Sequence, residues 1–220
     1  MRDINQKIIK FNYEQNLKSE DFFISSSNKH VYNFLNNWPN WEKNLLNICG
    51  EKLSGKSHLM NIFQKKFKGI IFDAHKFNNN DLLNIKFHKN IIIEDLNEKV
   101  NEKLIYTLIN AIDQSNKHLI ITTLKPIYEM DFSLIDLKSR TKNFLIQNIK
   151  KPDDELVFAL LIKNLSDRQI TIEKKLVNYT VKRIYRSYSN IFDFIYKIDE
   201  VSLKKKKSIN LSIIREILGD

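Results

Sequence analysis

Gly50-Glu51-Lys52-Leu53-Ser54-Gly55-Lys56-Ser57 is a string whose residue types and spacing suit one chemistry, the holding of nucleotide phosphates. Glycines at its first and sixth positions free the backbone to wrap phosphate oxygens with N–H groups. Lys56 supplies a cation for the β- and γ-phosphates, and the Ser57 hydroxyl is a ligand for Mg²⁺. The string fits G-x-x-x-x-G-K-[ST] without exception. Average residue usage produces such a string by chance in roughly one chain in a hundred, and this chain holds only 4 glycines. Gly50, Ser54, Gly55, Lys56 and Ser57 are therefore the expected ligands of a purine nucleoside di- or triphosphate, ADP or ATP, with Mg²⁺.

Other candidates need the loop beside them before they mean anything. Glu94-Asp95 ends an apolar run, where acids next to a phosphate loop can hold Mg²⁺ and polarise a water. Glu94 takes the Mg²⁺ position, together with Ser57, and Asp95 the water. Thr122-Thr123 ends another apolar run, and the Thr123 hydroxyl can reach a γ-phosphate or the water; alone, two threonines at a strand end read as structural. Arg140 precedes the last such run, where an arginine in oligomeric ATPases can reach a neighbour's nucleotide; by spacing alone it reads as solvated. Gln6-Lys7-Ile8-Ile9-Lys10-Phe11 offers Ile9 and Phe11 as apolar anchors after Gln6, a pattern suited to docking in an apolar pocket. Lys204 to Lys207 read as a solvated helix end.

The elements that must position these residues are legible as periodicity. Leu45–Cys49 is a short apolar run ending at Gly50, and 57–67 carries Leu59, Ile62, Phe63 and Phe67 at helical spacing, with Gly69 as its expected cap. Apolar runs at 70–72, 91–93, 119–121 and 144–146 predict four more strands, and 104–112 predicts a helix between two of them. Continuous apolar strands separated by helices indicate an α/β fold with a five-stranded parallel sheet covered on both faces. After Lys151-Pro152 the pattern turns helical over 153–165, 173–186 and 189–203, with one short strand-like run at 208–211. The expected organisation is an N-terminal arm over 1–20, an α/β nucleotide-binding domain over 21–150 and a helical lid over 151–220.

Composition narrows the class. A net charge of +10 favours acidic partners or a uniformly lysine-rich surface. A single cysteine, Cys49, excludes an intrachain disulfide, and no run approaches a membrane span. The first residues lack an apolar signal core, so the expected location is cytoplasmic with no membrane partner. The segment after Lys207 is too short for a separate helix-turn-helix domain, so contact with DNA is expected to be indirect.

Taken in order, these landmarks resemble the AAA+ module of the bacterial replication initiator DnaA family, and within it the shorter Hda-type regulatory inactivators. Asp21-Phe22-Phe23 with Ser27-Asn28 looks like the family's segment beside the adenine, and Gly55-Lys56-Ser57-His58-Leu59 is similar to its GK[ST]HL string. Thr122-Thr123 with Pro126 resembles the sensor-one strand, Asp136-Leu137-Lys138-Ser139-Arg140 the arginine-finger box, and Pro152-Asp153-Asp154 the opening of the lid, with Asp167-Arg168-Gln169 its next turn. The resemblance implies an AAA+ P-loop core with a small all-helical lid. It adds Phe22, Phe23 and His58 to the nucleotide ligands, makes Arg140 a finger acting in trans on the initiator's ATP, and makes Gln6, Ile9 and Phe11 a peptide for the polymerase sliding clamp. The implied role is negative regulation of initiation, with DnaA and the clamp as partners and homodimerisation left open. The alternative is a self-contained ATPase of the helicase-loader or truncated-initiator type acting on DNA. Two departures stand out: Glu94 replaces the family's Mg²⁺ aspartate, and the sensor-two arginine falls at Asn190, leaving Arg183 or Arg186 as substitutes. Both point to nucleotide binding, of ADP above all, with weak intrinsic hydrolysis.

Overall fold

The structure is a computed structural model and describes residues 21–205 and 209–219. Its sheet has five parallel strands in the order β2-β3-β4-β1-β5. These are β1 Leu45–Cys49, β2 Gly69–Asp73, β3 Asn90–Glu94, β4 His118–Thr123 and β5 Leu145–Asn148. The α/β class, strand number and parallel sense match the sequence expectation. Leu45, Leu46, Ile48, Ile91 to Ile93 and Leu119 to Ile121 are all buried, because helices cover both faces of the central strands.

One face carries α1 Lys29–Asn36 and α2 Lys56–Phe67, which pack Val31, Leu35, Leu59, Met60 and Phe63 against Leu46, Ile48, Ile92 and Ile120. The other carries α4 Glu102–Asp113 and α5 Ile135–Thr141, with the short α3 Asn79–Asn84 before β3. In α4, Leu104, Ile105, Leu108, Ile109 and Ile112 recur at helical spacing and are buried together. Asn101 starts that helix by accepting the Leu104 N–H on its side chain.

Four helices follow: α6 Asp154–Asp167, α7 Lys174–Val181, α8 Tyr188–Lys205 and α9 Leu211–Leu218. They share a core of their own that includes Val157, Leu161, Val177, Ile191, Ile195, Ile198 and Ile214.

Three local expectations are corrected. The left-handed residue that ends α2 is Lys68, with φ 56°, while Gly69 begins β2. A Cβ on Gly69 would stand 3.3 Å from Ile92 Cδ1, so the glycine serves close packing rather than the cap. The helix expected over 173–186 stops at Val181, since the chain turns there to place Ile184 in the lid core. Where a strand-like run is expected over 208–211, the described residues from 209 lead into α9: the Asn210 side chain accepts the Ile213 N–H, and Ile213 and Ile214 turn inward. The expected arm, with Gln6, Ile9 and Phe11, lies outside the described residues.

Candidate phosphate-binding site

β1 emerges between β4 and β5, so the loop after Cys49 opens at the crevice outside the strands' carboxyl ends, where open α/β sheets place their ligands. Gly55 has φ 90° at the start of α2, a left-handed conformation that glycine adopts without strain. A Cβ there would also come 3.2 Å from the Phe22 ring. The first turn of α2, Lys56-Ser57-His58, has no side-chain cap at Gly55, and the helix dipole there favours an anion.

Lys56 is buried at the floor, its Nζ donating to the carbonyls of Gly50 at 2.8 Å and Glu51 at 2.9 Å. Burial pushes this ammonium below its ordinary pKa, against the nearby Asp95 carboxylate. An anion in the loop would favour the charged form and oppose that shift.

Glu94 stands at the end of β3 beside Ser57. Burial pushes its carboxyl above the ordinary carboxylate value, against a hydrogen bond from the Ser57 hydroxyl. Its Oε1 is buried without a hydrogen-bond partner. An orphaned carboxylate oxygen next to a hydroxyl fits a hard cation. No group of three or more metal-ligating His, Cys, Asp or Glu side chains occurs among the described residues. Mg²⁺ takes one or two protein oxygens and completes its shell with water and phosphate, and Ser57 and Glu94 would supply the protein oxygens. Asp95 follows at φ 56°, its N–H donating to Thr122 Oγ1 at 3.0 Å, and lines the cleft.

The cleft encloses about 490 Å³, within the range of small-ligand sites. Phe22, Phe23, Ser54, Gly55, Lys56, Ser57 and His58 all line it. Phe22 meets the His58 ring edge-on with centroids 5.2 Å apart, forming an aromatic corner beside the loop. Thr123 does not line it. Its hydroxyl donates to the Lys125 carbonyl at 2.6 Å and accepts from Asn47 Nδ2 at 2.9 Å, tying the end of β4 to β1.

Arg140 lies outside the cleft as well. It closes α5 near the amino end of β5, with 40% of its side chain exposed, and its NH1 pairs with Asp113 at 2.9 Å. Asn190 donates to Ser187 Oγ at 2.7 Å, Arg186 pairs with Asp154 at 2.6 Å, and the Arg183 guanidinium lies 3.8 Å from the Tyr179 ring centroid. None of the three lines the cleft.

Sequence reasoning missed the lid wall: Leu156, Leu160, Lys163, Asn164, Tyr188 and Phe192. Lys163 pairs with Asp21 at 2.8 Å, joining α6 to the segment before α1. It missed Asn47 too, whose Oδ1 accepts the Ile127 N–H at 2.9 Å; a lone amide in an apolar strand was the available signal. The lid residues gave none, since their types are ordinary for helices.

Fold and site together define an AAA+-type P-loop module with a helical lid. No protein-family model matches the chain. It is 25% identical over 228 residues to the chromosomal replication initiator protein DnaA of Borreliella afzelii, covering 91% of this chain and 47% of that protein. Its fold matches domain III of the Thermotoga maritima replication initiation protein DnaA with a TM-score of 0.73 at 18% identity, over 94% of this chain and 97% of that one. It also matches AMPPCP-bound DnaA from Aquifex aeolicus with a TM-score of 0.64 at 19% identity, over 84% and 64% of the two chains. In sequence and in fold the chain is thus similar to the AAA+ module of DnaA replication initiators. It spans about half the length of the curated relatives it matches.

Proposed function

We propose that the protein is an adenine-nucleotide-binding AAA+ regulator of chromosome replication initiation. In this reading ADP or ATP occupies the loop, with Ser57 and Glu94 holding Mg²⁺ and Phe22, Phe23 and His58 beside the base. Arg140 acts in trans, completing the site around ATP bound to the initiator DnaA and promoting its hydrolysis. Residues 6–11 recruit the DNA-loaded sliding clamp.

The observation that carries the trans role is the placement of Arg140. The cleft lies at the carboxyl ends of the strands, whereas Arg140 precedes β5 at its amino end. From there it serves a neighbour's nucleotide rather than its own. Its pair to Asp113 is made through NH1 and engages one of five N–H donors; the others of the fork can meet phosphate oxygens.

A reconstituted assay with clamp-loaded DNA, ATP-bound initiator and this protein tests the reading. A finger of this class is worth about 10³ to 10⁵ in rate, so Arg140→Ala is expected to abolish stimulation while leaving nucleotide affinity intact. Stimulation equal to wild type would sink the finger assignment. Substantial ATP turnover by the isolated protein, abolished by Asp95→Asn, would favour a self-contained ATPase instead.

A further inference from the structure

The phosphate loop carries a carboxylate of its own. Glu51 follows Gly50 directly and does not line the cleft. Its Oε2 accepts the backbone N–H of Tyr188 at 3.1 Å. Tyr188 is the first residue of α8, an 18-residue helix that runs through the lid. An acid at that position satisfies one of the helix's orphan N–H groups and is favoured by the helix dipole. Tyr188 itself is 2% exposed, and its hydroxyl donates to the Lys150 carbonyl at 3.1 Å, just past β5. One residue thus fastens α8 to the loop by its backbone and to the sheet edge by its ring.

Gly50 lets the loop pack closely on itself and on the residue after β5. A Cβ there would stand 3.0 Å from Ser54 Oγ and 3.1 Å from Ile149 Cβ. One residue on, the Glu51 carbonyl accepts from Lys56 Nζ at 2.9 Å. Glu51 therefore touches the phosphate-seeking ammonium through its main chain and the lid helix through its side chain.

We propose that Glu51 is a positioning residue that transmits occupancy of the loop to the lid. The proposal rests on the nucleotide-binding reading above. Phosphates draw the Lys56 ammonium off the Glu51 carbonyl and set a like charge near the Glu51 carboxylate. Both effects weaken its hold on the start of α8. By linkage, that hold weakens nucleotide binding by the same factor. Arg186, the cation next in sequence to the helix start, pairs with Asp154.

Hydrogen–deuterium exchange of α8, with ADP calorimetry on the full chain, tests this. In wild type, ADP is expected to speed exchange at residues 188–192 several-fold. Glu51→Ala is expected to reach that rate without ADP and to lose the response. Glu51→Gln keeps an acceptor for the Tyr188 N–H without the charge. It should restore slow exchange and bind ADP several-fold more tightly than wild type. Equal α8 exchange in nucleotide-free wild type and Glu51→Ala overturns the proposal, as does an undiminished ADP response in Glu51→Ala. A wild-type chain that binds no ADP defeats the nucleotide reading and the transmission with it. The nucleotide-free comparison then still shows whether Glu51 anchors α8, so the two failures are distinguishable.

Discussion

The phosphate loop and the lid wall face the same cleft, yet they are assembled in different ways. The loop draws its chemistry from eight consecutive residues, Gly50 to Ser57, and largely from their backbone. The lid wall is gathered from α6 and α8, with Leu156, Lys163, Tyr188 and Phe192 far apart in the chain. The loop works because its conformation is local, set by Gly55 at φ 90° and the start of α2. The lid works only when its own core and three seams to the rest of the molecule are in place: Asp21–Lys163, Glu51–Tyr188 and Asp153 with the serines before α1. Damage to the lid should therefore appear first as altered stability and motion, and damage to the loop as altered binding.

The largest expected effect tests whether the lid is a separate cooperative unit. Ile195 is fully buried in the lid core, and Ile195→Ala should cost about 2–5 kcal/mol. Hydrogen exchange should show α6 to α8 losing protection while β1 and β4 keep theirs. A uniform loss across the chain would mean that lid and sheet unfold together.

Next comes the opposite lesion. Lys56→Ala removes the loop's ammonium, and hydrogen bonds of charged groups are worth about 1.5–3 kcal/mol. Calorimetry should give about a ten- to hundredfold loss of ADP affinity. A large fall in melting temperature instead would break the division between binding and stability.

A smaller effect sharpens the seam. Burial acts to raise the Asp153 carboxyl, but hydrogen bonds from Ser26, the Leu156 N–H, Ser25 and Ser27 outweigh it and hold the group well below the usual carboxylate range. Its oxygens accept from Ser26 Oγ at 2.7 Å, Ser27 Oγ at 2.9 Å and the Leu156 N–H at 2.8 Å. A depressed folded-state pKa stabilises above the unfolded value and is lost as pH falls through the folded one. Asp153→Ala should cost about 1–2 kcal/mol at pH 7, as for a lost helix cap. Denaturant midpoints should show that gap closing below about pH 4; a gap independent of pH would remove the carboxylate from the account.

The smallest expected effect concerns Asp113. Its pair with Arg140 is partly exposed, and such pairs contribute about 0–1 kcal/mol. Asp113→Ala should leave the denaturant midpoint nearly unchanged. A loss above about 2 kcal/mol would make the pair a structural member of the sheet face.

Much of this was legible in the chain. Leu45 to Cys49 and Ile91 to Ile93 read as buried strands because parallel strands covered on both faces must be apolar throughout. Glu94 and Ser57 could be paired by reasoning, since a strand end and a loop end meet at the same sheet edge. Thr123 could not be settled that way. Its position at the end of β4 suggested the cleft, but its hydroxyl is taken by Lys125 and Asn47, a choice made by a partner two strands' worth of sequence away. The helix α9 was hidden because Ser208-Ile209-Asn210-Leu211 alternates like a strand, and only the cap at Asn210 and the burial of Ile213 and Ile214 resolve it.

By itself, then, the sequence determined the strands, the phosphate loop and the acids beside it. Each depends on neighbours within a few residues or on a periodicity that burial imposes. Tertiary structure alone decided that Glu51 reaches the start of α8, that Lys163 meets Asp21, and that Arg183, Arg186 and Asn190 stay out of the cleft. Those are contacts between side chains of ordinary type, and only the packing of the lid against the sheet selects their partners.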